Sequence, residues 1–173
     1  KVLIVEDEIM ARLGLRQLVD WRKLELELLP DATDGEEALE MIRNSCPDII
    51  LLDLNIPKVS GLEILEFLKK EEMPTKVIVV SCQEEFDVVK KAMKLGAYDY
   101  LRKLNLSSDE LENILEKCLV ETEERITVHM QGIREIRYEE IVRDSRDILA
   151  GACNYQYTGE RYRGVVQGYG NNP

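Results

Sequence analysis

Four cysteines in 173 residues form no CxxC pair, and the chain has a single histidine, a single tryptophan and only two phenylalanines. The wide spacing of Cys46, Cys82, Cys118 and Cys153 fits neither a zinc site nor a small disulfide framework. Free thiols in a reducing compartment are therefore expected. His129 has no ligand-type residue close by in the sequence, so a solvated side chain is the expectation there. No apolar run approaches the ~18 residues that a membrane span needs, so no membrane partner is expected. Basic residues are also short: 23 Lys and Arg stand against 34 Asp and Glu, for a net charge of −11. That balance argues against nonspecific nucleic-acid binding, which needs clustered cations on the phosphates. The chain opens on a strand-like run, so no secretory leader is expected and the protein is placed in the cytoplasm.

Two further gaps divide the chain. Lysine does not occur after Lys117, and proline is absent between Pro74 and Pro173. Residues 121–173 instead carry seven arginines, five of the seven tyrosines and six of the ten glycines. The shift predicts a domain over 1–120, long enough to bury its own core. Residues 121–150 are expected to form a helical linker or dimerising extension, because Ile126, Met130, Ile133, Ile136 or Arg137, and then Ile141 approximate an a/d stripe. Gly132 weakens such a helix by up to ~1 kcal/mol. A marginal helix that folds on a partner, or a strand-turn fragment with Arg125–His129 as the first strand of a small output domain, are open alternatives. Residues 151–173, rich in Tyr, Gly, Asn and Gln, read as a flexible tail or a fragment of an unrecognised output region.

The first region alternates strand and helix signals. Val2–Val5, Asp48–Asp53 and Lys76–Val80 are short, continuously apolar, β-branched runs of the kind buried on both faces of a parallel sheet. Weaker strands are expected at Glu25–Leu29 and Tyr98–Leu101. Helical stripes follow them: Met10, Leu13, Leu18 and Trp21; Ala38, Met41 and Ile42; Leu62, Leu65 and Leu68; Val88, Val89, Ala92 and Met93. Ser107 and Glu110 form a capping box before a helix that buries Leu111, Ile114, Leu115 and Cys118. Five strands, each followed by a helix, predict an α/β doubly wound parallel sheet in the flavodoxin-like order 2-1-3-4-5.

Sites in such sheets form at the carboxyl ends of the strands. Strand 1 delivers Glu6 and Asp7 there, strand 3 delivers Asp53, strand 4 delivers Ser81, and strand 5 is followed by Lys103. Converging carboxylates repel unless a cation joins them, and hard oxygen donors with room for water suit Mg²⁺.

These residues carry a resemblance. Val5-Glu6-Asp7-Glu8, Asp53-Leu54-Asn55-Ile56-Pro57 with Gly61, Val80-Ser81, and Ala97 through Lys103 together resemble the receiver domain of bacterial two-component response regulators, along the whole of 1–120. The stretch from Tyr100 to Leu111 looks most like regulators with an AraC-type DNA-binding output, yet no helix-turn-helix pair of that type is found in this chain. The resemblance implies that Asp53 accepts a phosphoryl group from a phosphohistidine on a sensor histidine kinase. It implies Mg²⁺ held by Asp7, Asp53 and the backbone carbonyl of Asn55, with Glu6 acting through a coordinated water. Lys103 and the Ser81 hydroxyl would bind phosphate oxygens. Ser81 and Tyr100 would then switch the face of helix 4, strand 5 and helix 5 to control an output, transcription being the expected one. DNA would be met only through an output domain not recognised here, and a homodimer is a further expected partner. Leu104 stands where the family usually has a proline on a cis peptide; a trans bond is expected before leucine. Cys82 stands where small residues are usual and is expected to slow water access to the phosphate.

Two other classes are weighed against this. A phosphatase of the haloacid dehalogenase type also uses a strand-end Asp nucleophile, but needs a second acid two residues on, where Asn55 stands. A stand-alone interaction protein with a degenerate receiver would not need Asp7, Asp53, Ser81 and Lys103 together. A flavodoxin or dinucleotide-binding reading fails because Glu6-Asp7-Glu8 would repel a phosphate after strand 1. The chain is thus expected to be a phosphoacceptor rather than an enzyme.

Overall fold

The computed structural model describes residues 1–82 and 85–121, which fall in a unit running Lys1–Thr122. The expectations for residues 122–173 lie outside the described residues. Four parallel strands, β1 (Val2–Val5), β2 (Ile49–Leu52), β3 (Lys76–Ser81) and β4 (Asp99–Arg102), are joined in that order. Helices α1 (Ile9–Leu18), α2 (Gly35–Ser45), α3 (Gly61–Lys70) and α4 (Phe86–Leu95) connect them, and residues 108–121 form a last helix, α5.

The expected strand at Glu25–Leu29 is reduced to two isolated bridges on the outer side of β1, Val2 with Leu28 and Val5 with Ala32. Glu25 is in the left-handed region at φ 55, and Pro30, which has no N–H, stands between the bridges. The edge still follows β1: Leu29 N–H donates to the Val2 carbonyl and Ala32 N–H to that of Ile4, both at 2.9 Å. Counting this edge as the second strand gives the order 2-1-3-4-5.

Successive strand residues feed opposite cores, as the two-residue period requires. Leu3, Val5, Ile50, Leu52, Val77 and Val79 pack with Ala38 and Ile42 of α2, Ile64, Leu65 and Leu68 of α3, and Ala92 of α4. Val2, Ile4, Ile49, Leu51, Ile78, Val80 and Leu101 pack with Leu15, Val19 and Trp21 on one side, and with Leu111, Ile114, Leu115 and Cys118 of α5 on the other. Each fully buried Leu or Ile contributes roughly 1.5–3 kcal/mol.

Two helical stripes differ from expectation. Met10 and Leu13 are exposed, and α1 buries Leu15 instead. The helix stops at Leu18, and the extended residue Val19 turns the chain so that Trp21 enters the core by a loop rather than by helical period. Met93 is likewise exposed, and on α4 only Ala92 is buried.

The caps explain the boundaries nearest the strand ends. Asp34 accepts from the N–H groups of Glu36 and Glu37, both at 3.0 Å, and opens α2. Ser60 and Glu63 make a reciprocal capping box at α3, a signal carried by their spacing in the sequence. At the expected box before α5, Glu110 N–H donates to Ser107 Oγ at 3.2 Å.

Candidate functional site

Register brings the strand-end acids together. Val5 pairs with Leu52, so the next residues, Glu6 and Asp53, lie side by side on adjacent strands. Asp53 N–H donates to the Val5 carbonyl and Glu6 N–H to that of Ala32, each at 3.0 Å. Carboxylate oxygens of Glu6, Asp7 and Asp53 all lie within 4.8 Å of one another. Asp7 is exposed, whereas Asp53 and Glu6 are buried, Glu6 with only 1% of its surface accessible.

One ammonium reaches into this group. Lys103 Nζ lies 2.6 Å from Asp53 Oδ2 and 2.6 Å from Glu6 Oε2. It leaves β4 through a single 3₁₀ turn, Lys103–Asn105, in which Leu104 is exposed to solvent. No peptide bond among the described residues is cis, as expected for Leu104. Burial would lower the lysine's pKa, but its contacts to Asp53 and Glu6 outweigh that and raise it. Burial pushes the Glu6 carboxyl up; Lys103 opposes the rise and the charge of Asp53 adds to it. Among the described residues, three carboxylates with one ammonium leave the cluster short of positive charge.

Ser81 ends β3 and is fully buried; Cys82 follows it and is exposed. Asn55 is exposed, and its N–H donates to Asp53 Oδ1 at 3.2 Å. Tyr100 is half-buried in β4 and packs against the core on the α3 and α4 side of the sheet.

The loop after Asp53 is shaped by two glycines. A Cβ on Gly61 would come within 2.5 Å of the Asp53 carbonyl oxygen and 2.7 Å of Leu54 Cα. A Cβ on Gly35 would meet the Val59 carbonyl oxygen at 1.9 Å, and Gly35 N–H donates to the Pro57 carbonyl at 3.0 Å. The 53–60 loop is thus clamped between the starts of α2 and α3. Gly61 belongs to the motif already noted; Gly35 had only the preceding Asp34 as its signal.

The Response regulator receiver domain profile matches residues 2–116. The chain belongs to the response regulator receiver family. An uncharacterized response regulatory protein of Staphylococcus epidermidis is 33% identical over 116 residues, covering 67% of this chain and 45% of that protein. The nitrate/nitrite response regulator NarL of Escherichia coli is 34% identical over 102 residues, covering 59% of this chain and 47% of that protein. The chain therefore spans under half the length of these curated relatives. Among solved structures, the receiver domain of AraT, a response regulator from Geobacillus stearothermophilus, superposes with a TM-score of 0.65 at 32% identity, covering 72% of this chain and 95% of that one. The relatives include transcriptional regulators, and also a protein-glutamate methylesterase of Pyrococcus horikoshii. Receivers thus occur in proteins with more than one kind of output.

The receiver's acidic cluster fits a small hard cation by the chemistry of its donors. Octahedral Mg²⁺ with ligands at ~2.1 Å separates its donors by roughly 3 to 4.2 Å. Oxygens spread over 4.8 Å suit direct ligation by some acids and a water relay to another. Burial raises the pKa of Glu6, and added positive charge would oppose that rise.

Proposed function

We propose that Asp53 is the phosphoacceptor of a two-component signalling receiver. The observation that carries this reading is the placement of Lys103 Nζ 2.6 Å from both Asp53 and Glu6, with Asp7 in the same carboxylate cluster. Mg²⁺ held by Asp7, Asp53 and the Asn55 carbonyl, with Glu6 acting through water, would supply charge to the equatorial phosphoryl oxygens. An Asp53 Oδ forms the new O–P bond as the P–N bond to the donor imidazole breaks, and that nitrogen keeps the electron pair. Asn55 N–H, on Oδ1 at 3.2 Å, leaves Oδ2 to attack once Lys103 shifts onto the incoming oxygens. Lys103 then neutralises the product, and Ser81 offers its hydroxyl from the neighbouring strand end.

The new dianion gives Lys103 and Ser81 a different partner from the one they have at rest. Tyr100, half-buried two residues after Tyr98 on the neighbouring strand, follows that movement and changes the face of α4, β4 and α5. Transcription is the output most in keeping with NarL and with a LuxR-family DNA-binding regulator of Staphylococcus aureus, 29% identical with a TM-score of 0.61. A sensor histidine kinase is the phosphoryl donor, DNA is met through an output domain, and residues 121–150 are the dimerising or linking element. A cytoplasmic location goes with those partners; among the described residues no helix is long and apolar enough to cross a membrane.

Acetyl phosphate stands in for the kinase in the test. Intact mass after incubation with Mg²⁺ should show one added phosphoryl group in the wild type, and none with a chelator or in Asp53→Ala. An adduct that persists in Asp53→Ala would refute the assignment.

A further inference from the structure

The Glu6-Asp7 loop is gripped from behind by a residue that no strand-end pattern reveals. Arg12, in the first turns of α1, donates through Nη1 to the Glu6 carbonyl at 2.8 Å and to the Asp7 carbonyl at 3.3 Å. Its Nε lies 3.6 Å from Asp31 Oδ2, and both side chains are only 16% exposed. Asp31 also pairs with Arg16, whose backbone carbonyl accepts the Trp21 indole N–H at 2.9 Å. The acids that face Asp53 are thereby tied through their own peptide groups to the seam where α1 meets the sheet edge.

We propose that Arg12 is a positioning residue for the divalent-cation site, with Asp31 as the counter-ion that orients it. The inference rests on the reading that Glu6, Asp7 and Asp53 take such a cation. Two consecutive carbonyls held by one guanidinium nitrogen, itself oriented by the Nε contact to Asp31, set the direction of both peptide planes, and so of the two carboxylate side chains. Glu8 N–H adds a third restraint on the Glu6 carboxylate, at 3.2 Å from Oε1. Without these restraints the loop must be ordered by the cation itself, at the expense of affinity.

The opposite effect is physically available. A guanidinium beside a metal site repels the metal, and its removal would then tighten binding. Asp31, 3.6 Å from Arg12 and shared with Arg16, offsets part of the Arg12 charge and leaves its hydrogen bonds intact; the sign of the change in affinity when Arg12 is removed decides between the two. Lysine in place of Arg12 keeps the charge but has one donor atom, so it cannot face Asp31 with one nitrogen while another holds the carbonyls.

The experiment is isothermal titration of Mg²⁺ into the full chain, with the melting temperature of the metal-free protein measured in parallel. Arg12→Ala should bind Mg²⁺ about tenfold more weakly, in line with the effect of residues that orient metal ligands. Arg12→Lys should fall between, about threefold weaker, and decides the matter should the alanine variant not fold. Unchanged or tighter binding in the variant that folds would overturn the proposal, as would a melting-temperature loss with no change in affinity. A wild type that binds no Mg²⁺ would instead overturn the site reading on which the proposal rests.

Discussion

Two lysines, one at each end of the same parallel sheet, sit in opposite electrostatic circumstances. Lys76, at the amino end of β3, pairs with Glu121 of α5 and lies over the Tyr98 ring at 4.4 Å. The Tyr98 hydroxyl donates to the same carboxylate at 2.7 Å. Burial, with that carboxylate beside it, pushes the phenol's pKa up, and burial raises the nearby Cys118 thiol to about 11. There each charge meets its opposite, and the cluster fastens α5 to the sheet. Lys103, at the carboxyl end, is one cation among three carboxylates, counted over the described residues. A deficit of that kind suits the uptake of further positive charge, while the balanced end suits a fastening.

The sharpest way to break this comparison is to remove each lysine in turn. Lys103→Met leaves two buried carboxylates unpaired and should cost about 3 kcal/mol at neutral pH. Millimolar Mg²⁺ should restore part of that in a denaturant titration. Lys76→Met should also lower stability, but by an amount that Mg²⁺ does not alter. Equal Mg²⁺ responses from the two variants would erase the distinction.

Glycines divide the same two ends by a different criterion. Gly61→Ala must displace backbone at Asp53 and Leu54, and roughly 2 kcal/mol of lost stability is expected, together with slower phosphorylation. Gly96 ends α4 at φ 104 with open space around it, so Gly96→Ala should cost only about 1 kcal/mol and leave phosphorylation alone. Thermal melts and acetyl phosphate kinetics on both variants check the pair.

The smallest effect should come from acidity. Glu6 has a folded-state pKa above its ordinary value of 4.5, so its ionisation opposes folding. Stability from this group is complete below pH 4.5 and declines as pH rises through the folded-state value. In the absence of metal, Glu6→Gln should escape that decline and be more stable than wild type at pH 7 by under ~1 kcal/mol. Saturating Mg²⁺ should reverse the order, as pH-dependent unfolding curves would reveal.

Much of this was legible in the chain. The acids could be placed because each follows an apolar run whose length and composition announce a buried strand, as Val2–Val5 does before Glu6. The α5 face of Leu111, Ile114, Leu115 and Cys118 was legible from helical period alone. Met10 and Leu13 misled because period does not say which stripe faces inward, and the true contacts, Val19 and Trp21, lie beyond the helix end. The edge at Leu28 and Ala32 kept its place but lost its strand to Pro30 and the left-handed Glu25. Arg12 and Asp31 are 19 residues apart in the chain and meet only when that edge closes on α1, so no local pattern announces them. The reach of Lys103 depends on the turn after β4, which leucine in place of proline made hard to foresee.

The central claim, that the strand-end cluster takes up a cation and that Asp53 there accepts a phosphoryl group, is tested most directly by locating that group. After treatment with acetyl phosphate and Mg²⁺, borohydride reduction converts an aspartyl phosphate to homoserine, and peptide mapping identifies its position. The expected result is homoserine at position 53 and at no other aspartate, with Asp7 unchanged. Homoserine at any other position, or at none in a sample whose intact mass shows the adduct, would contradict it.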